Sequence, residues 1–163
     1  PDMTVEQMVL HGRFPYLSYP RRYSSHDREV AIKAMETVGV AEFAHKPLYS
    51  LSGGMRQNAY IAMALAQDTD YILLDEPTTY LDIAHQLELM RILRKLADSG
   101  KGIVTVMHNL PIAFDFSDKL TVMSNGKIIA YGTPSEICES HIVEDIFGVE
   151  IKQVQKGKYL YEY

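Results

Sequence analysis

Apolar runs of strand length alternate with helical periodicity after residue 70, and that alternation predicts an α/β fold built on a parallel sheet. Two strands and the helix between them carry the prediction. Tyr71-Ile72-Leu73-Leu74 is a short continuous apolar run, the form expected of a strand buried on both faces, and Gly102 to Met107 is a second. Between them, Ile83 to Ala97 places Leu87, Met90, Leu93 and Ala97 on one stripe before Gly100 ends the helix. A strand, helix, strand order with a connection of this length implies a right-handed parallel unit.

The first fifty residues have a different character. Thr4 with Gln7 three positions later forms a capping-box pattern that opens a short helix ending near Gly12. Arg13 to Ser25 holds four aromatics, two prolines and three arginines without periodicity, and reads as an irregular surface segment with buried rings. His26 to Val38 is helical, with Val30, Ala34, Met35 and Val38 on one face and Gly39 as the stop. Ser52-Gly53-Gly54 opens a further helix whose face is Ala59, Ala62, Met63 and Ala66. Later, Asn125-Gly126 joins Leu120 to Ser124 and Lys127 to Tyr131 in a hairpin. Thr133-Pro134-Ser135-Glu136 supplies an N-cap, a first-turn proline and a capping-box acid. A small hairpin around Lys156-Gly157-Lys158 reads as a mostly solvent-facing appendage.

Composition narrows the function. The chain has 163 residues, with 16 Lys+Arg against 21 Asp+Glu and a net charge of -5, so a nucleic-acid partner is not expected. The single cysteine, Cys138, has no intramolecular partner, and no apolar run reaches the roughly 18 residues needed to span a bilayer. The start of the chain, Pro1-Asp2-Met3-Thr4, lacks the regions of a signal peptide, and the protein reads as cytosolic.

Three places carry chemistry. Ser52-Gly53-Gly54-Met55-Arg56-Gln57 sits at a helix start, where backbone N–H groups are free and no side chain blocks an anion; the plainer reading is a serine cap with flexible glycines. Asp75 and Glu76 end a strand, where ligands bind in open α/β sheets. One carboxylate can hold Mg²⁺ through water while the other acts as general base toward an attacking water; the plainer reading is a solvated strand end. His108 follows the next strand, at the edge that a parallel neighbour would share with Asp75 and Glu76.

Taken together these residues resemble the ATP-binding cassette (ABC) ATPases. Leu51 to Gln57 is similar to their signature motif and Tyr71 to Glu76 to the Walker B strand with its catalytic glutamate. Thr79-Tyr80-Leu81-Asp82 is similar to the D-loop, and His108 to the switch histidine. His11-Gly12-Arg13-Phe14-Pro15-Tyr16, Asp75 to Gln86 and Ala62 to Gln67 further resemble the ATPase subunits of bacterial importers for iron siderophores, haem and cobalamin. The signature departs from the usual pattern at Met55, where the family has Gln, and at Asn58, where it often has Arg.

The resemblance implies a partial P-loop NTPase fold, a RecA-like parallel sheet with flanking helices, joined to the ABC helical subdomain. Residues 1–67 would be mostly the helical subdomain and 68–163 the C-terminal part of the core with its hairpin appendage. It implies ATP and Mg²⁺ as cofactors. Ser52, Gly53, Gly54 and Gln57 would face the γ-phosphate held by a second, identical ATPase subunit, and Asp82 would lie in that interface. Asp75 would hold Mg²⁺ through water, Glu76 would polarise the attacking water, and His108 would contact the γ-phosphate. A membrane permease and, indirectly, a periplasmic or lipoprotein substrate-binding protein would complete an importer of an iron-siderophore-type chelate, with this subunit on the cytoplasmic face of the membrane. Other readings are a non-transport cassette ATPase of the translation or DNA-repair type, or a non-catalytic interaction module.

The phosphate-binding loop, Gly, four residues, then Gly-Lys-Ser/Thr, is not in the sequence: Gly100-Lys101, Gly126-Lys127 and Gly157-Lys158 are followed by Gly, Ile and Tyr. The expectation is a C-terminal piece that starts just after the Q-loop glutamine and is inactive alone. Missing central strands would expose apolar surface and favour a non-native homo-oligomer.

Overall fold

The computed structural model describes residues 3–155 and 158–162. The chain divides into two compact units, Pro1–Val106 and Met107–Tyr163.

In the first unit, helices α1 (Val5–Leu10), α2 (Ser25–Thr37) and α3 (Gly53–Ala66) pack against one another, followed by β1 (Tyr71–Asp75), α4 (Ile83–Asp98) and β2 (Gly102–Val106). The caps explain the starts. Thr4 and Ser24 each form a complete capping box, with Gln7 and Asp27, while Ser52 and Asp82 accept from the backbones of Met55 and His85. The sheet is parallel, as the βαβ pattern requires, with Tyr71 opposite Gly102 and Asp75 opposite Val106.

The buried stripes are close to those anticipated but rotated. On α2, Ala31 is inside and Val30 only half-buried; on α3, Ile61 joins Ala59, Ala62 and Ala66 while Met63 is half-buried. On α4 the core positions are Leu89, Met90, Leu93 and Leu96. Two expectations fail in the segment after α1. Arg13 to Tyr16 is not irregular but belongs to a 3₁₀ helix, His11–Tyr16. Nor are the rings of the Arg13 to Ser25 segment buried: Phe14, Tyr16 and Tyr19 are exposed and Tyr23 half-buried, and the buried side chain is Arg13. Gly12 explains the close packing of this segment, because a Cβ there would overlap the Met63 carbonyl oxygen and lie 3.1 Å from Ala66 Cβ.

The strands are not buried on both faces. Ile72 is inside, but Leu73 is 77% exposed and Val104 and Val106 are also exposed. Leu73 pairs with Val104 and Asp75 with Val106, so these residues share one face, and α4, which packs on β2, leaves that face open. Leu73, Val104 and Val106 therefore leave an exposed apolar patch on the sheet.

The second unit contains α5 (Leu110–Phe116), β3 (Leu120–Ser124), β4 (Lys127–Gly132), α6 (Pro134–Glu139), α7 (Ile142–Phe147), β5 (Glu150–Gln155) and β6 (Lys158–Glu162). Asn125 and Gly126 both have positive φ, 48° and 72°, as the anticipated two-residue turn needs. Phe114, Val122, Ile137, Cys138, Val143 and Ile151 form its core. The hairpin β5–β6 is a structural part of it, not a mostly solvent-facing appendage: Tyr159 and Tyr161 meet the Phe114 ring edge-on, with centroids 5.2 and 6.4 Å away. The anticipated turn at Lys156-Gly157 lies outside the described residues.

Candidate functional site

The candidate residues of the first unit lie at the starts of α3 and α4 and at the end of β1. Helix α3 begins at Gly53, so the Gly53 and Gly54 amides have no acceptor one turn earlier within the helix. Ser52 is exposed and its Oγ accepts from Met55 N at 3.3 Å. Gly53 is exposed, Gly54 is buried and Gln57 is half-buried one turn along. Asn58 donates from Nδ2 to the Val38 carbonyl at 3.2 Å, tying α3 to the end of α2.

Arg13 holds the other end of α3. Its Nε donates to Asp27 Oδ1 at 3.0 Å and its Nη1 to the Ala66 carbonyl at 2.9 Å, while its guanidinium lies 3.9 Å from the Tyr16 ring centroid. Tyr16 then donates its hydroxyl to the Gln67 carbonyl at 2.6 Å. A cation and a hydroxyl thus meet carbonyls left over at a helix C-terminus, where positive charge is favourable. The hydroxyl and backbone N–H of Ser24, and then Arg13, hold the Asp27 carboxyl down at about 2.

Asp75 is the last residue of β1 and is exposed. Glu76 leaves the sheet with a φ of 44°, and its N–H bonds to the Val106 carbonyl at 3.0 Å, extending the parallel ladder by one residue. Thr79 Oγ1 donates to Glu76 Oε2 at 3.0 Å. The following loop contains a second left-handed non-glycine residue, Tyr80, with φ 64°. Gln86 braces this loop from α4, donating from Nε2 to the carbonyls of Thr78 and Leu81 at 3.3 and 2.9 Å. Asp82 Oδ1 accepts from His85 N at 2.9 Å, and its Oδ2 lies 2.8 Å from His85 Nδ1. The His85 backbone N–H first, then its ring, keeps the Asp82 carboxyl below the ordinary range.

The first unit contains Ser52, Gly53, Gly54 and Gln57 on the first turns of α3, Asp75 and Glu76 at the end of β1, and Asp82 at the start of α4. His108 lies in the second unit, exposed, in the short segment between β2 and α5. Sequence reasoning missed Thr79 and Gln86 as supports of Glu76 and of its loop. Both stand inside the Asp75 to Gln86 string, but their hydrogen bonds show only once the loop is folded.

These residues fit part of an ATP and Mg²⁺ site. Free amides beside a side-chain-free glycine suit a phosphate, and exposed Asp75 with braced Glu76 suit a hydrated hard cation and a water. A glycine-rich loop with a lysine for the β- and γ-phosphates is not in the sequence.

The comparisons with known proteins point the same way. The family described as ABC transporter matches residues 1–79. Over 149 residues the chain is 43% identical to the petrobactin import ATP-binding protein FpuD of Bacillus anthracis, covering 91% of this chain and 55% of that protein. Residues 1–79 thus match that family, and nine-tenths of the chain aligns with a protein named as an import ATP-binding protein. It is 42% identical to the iron(3+)-hydroxamate import ATP-binding protein FhuC of Bacillus subtilis, covering 93% of this chain and 57% of that protein. It is 41% identical to the ferric enterobactin transport ATP-binding protein FepC of Escherichia coli, covering 91% and 55%. An inward-facing metal-chelate type ABC transporter superposes with a TM-score of 0.85 at 29% identity, covering 98% of this chain and 64% of that one. The ADP conformation of an ATP-binding cassette of an ABC transporter gives 0.77 at 25% identity, covering 90% and 61%. The chain thus spans a little over half the length of these curated relatives. Among the described residues no helix is long and apolar enough to cross a membrane.

Proposed function

We propose that this chain is part of the ATP-hydrolysing subunit of an importer for an iron-siderophore-type metal chelate. One observation carries the reading: a carboxylate pair ends a parallel strand, and its second member, Glu76, is held by the Val106 carbonyl and the Thr79 hydroxyl. Relatives named as import or transport ATP-binding proteins are similar to this chain along nine-tenths of its length.

In this reading residues 1–67 are mostly the helical subdomain and 68–163 the back of the ATPase core. Two subunits pair head to tail, each presenting Ser52, Gly53, Gly54 and Gln57 to the γ-phosphate on the other, with Asp82 in the interface. Mg²⁺, when bound, would offset the negative charge of the phosphates. Asp75 orients the cation through water, Glu76 takes the proton of the attacking water, and His108 contacts the γ-phosphate. Thr79 keeps one Glu76 oxygen engaged, which fixes the direction of the other. Positioning and electrostatics supply catalysis of this kind, so each group works only in the closed assembly. The subunit acts at the cytoplasmic face of the membrane beside a permease, which receives the chelate from a substrate-binding protein outside.

The test uses the intact polypeptide with its phosphate loop. Glu76→Gln should abolish ATP turnover while ATP still drives dimerisation in light scattering, and sustained hydrolysis in that variant would remove Glu76 as the base. The 163-residue chain alone should bind Mg-ATP no tighter than about millimolar in calorimetry, because the loop that cradles the β- and γ-phosphates is not in its sequence. Micromolar affinity would overturn that part of the reading.

A further inference from the structure

The two glycines of the signature each face a residue from the start of α4. A Cβ on Gly53 would touch Leu81 Cδ2 at 4.0 Å. A Cβ on Gly54 would overlap His85 Cδ2 and lie 2.9 Å from its Cγ and 3.2 Å from its Nε2. The imidazole is therefore seated directly against the Gly54 backbone. On its other side Nδ1 is 2.8 Å from Asp82 Oδ2. A carboxylate only accepts, so Nδ1 carries the hydrogen and the ring has a fixed orientation. Asp82 is itself fixed, because its Oδ1 caps α4 through the His85 amide.

We propose that His85 is a positioning residue, an imidazole wedge that locks the signature glycines at the start of α3 to Asp82 at the start of α4. The proposal rests on the reading of Ser52 to Gly54 as the phosphate-facing group. It assigns a role to a residue that neither touches the nucleotide nor takes part in proton transfer. Through the wedge, the helix start that meets one phosphate and the aspartate of the subunit interface move as one piece. Gly54 also gains a reason to be glycine apart from anion access: the ring occupies the space of its side chain.

The atoms that matter are Nδ1, Cγ and Cδ2. Asparagine reproduces that half of the ring, with an amide nitrogen in place of Nδ1 and an oxygen in place of Cδ2, whereas alanine removes all three. In the intact protein without nucleotide, His85→Ala should speed hydrogen exchange at the Gly53 and Gly54 amides about tenfold, as local opening becomes easier, and leave the Ala59 to Ala66 amides unchanged. With nucleotide it should lower kcat about tenfold at an unchanged KM for ATP, because misplacing a positioned group costs the transition state while the subunit's own phosphate loop still holds ATP. His85→Asn should restore most of both. Exchange at Gly53 and Gly54 within twofold of the unsubstituted protein in His85→Ala would overturn the wedge, as would a His85→Asn variant no better than alanine. If the unsubstituted protein turns over no ATP, the functional reading fails instead, and the exchange experiment still decides the wedge.

Discussion

Replacing Arg13 with methionine should destabilise the protein by about 3 kcal/mol, the low end of the cost of breaking a buried ion pair. Arg13 and Asp27 are 5% and 7% exposed, so the carboxylate left behind has little water to turn to. The low end applies because Asp27 keeps the Ser24 N–H and hydroxyl, 2.9 and 2.7 Å from its Oδ2. Methionine retains the apolar stem, which isolates the guanidinium's bonds to Asp27 and the Ala66 carbonyl and its stacking on Tyr16. At about 2 to 4 °C per kcal/mol for a domain of this size, Tm should fall by about 6 to 12 °C in a calorimetric scan. Asp27→Asn in the Arg13→Met background should cost far less than Asp27→Asn alone, since Arg13, the charge that it would strand, is then already gone. A fall in Tm below about 2 °C, or strict additivity of the two substitutions, would refute the view that this pair anchors the signature helix.

Acid stability should depend on the Ser24 hydroxyl. Asp27 is held at about 2, below its unfolded value of 3.8, so its contribution is full above the unfolded value and is lost as pH falls through the folded one. Ser24→Ala should flatten the loss of stability between pH 4 and pH 2 in urea titrations, and an unchanged slope would point to another group. Ile61→Ala, at a position 1% exposed on α3, should cost about 3 kcal/mol through the cavity it leaves, measured as a shifted urea midpoint at constant m. Tyr80→Gly should stabilise slightly, by about 0.5 to 1 kcal/mol: a left-handed φ costs a non-glycine residue about 1–2 kcal/mol, and glycine's extra unfolded freedom returns part of it. A lower Tm for this variant would show that its fully exposed ring is supporting the loop.

Local signals carried most of the fold. Capping patterns at Thr4, Ser52 and Thr133 and the Asn125-Gly126 turn are written within four residues of each other, and the structure repeats them. Helix α7 was not legible, because it starts at His141 with a left-handed φ and no side-chain cap. The burial of Arg13 depends on partners 14 and 53 positions away, which no local window contains. Leu73 shows the opposite error. An apolar strand residue is buried only if another element covers its face, and among the described residues Leu73 is left exposed. At the site, the acid pair and the glycines could be read as chemistry, whereas Thr79, His85 and Gln86 act through contacts that exist only after α4 is in place.

The unstaggered register of β1 and β2 makes the sheet a measuring device. Tyr71 to Asp75 match Gly102 to Val106 one for one, and the ladder runs on to the bond between Glu76 N and the Val106 carbonyl. A residue lost from either strand moves the carboxylate end by about 3.3 Å against its neighbour and turns every following side chain to the other face. Length changes in the Ser99 to Lys101 turn carry no such penalty. Insertions and deletions tolerated in natural variation should therefore cluster in that turn and spare the ten paired positions, whatever happens to their side chains.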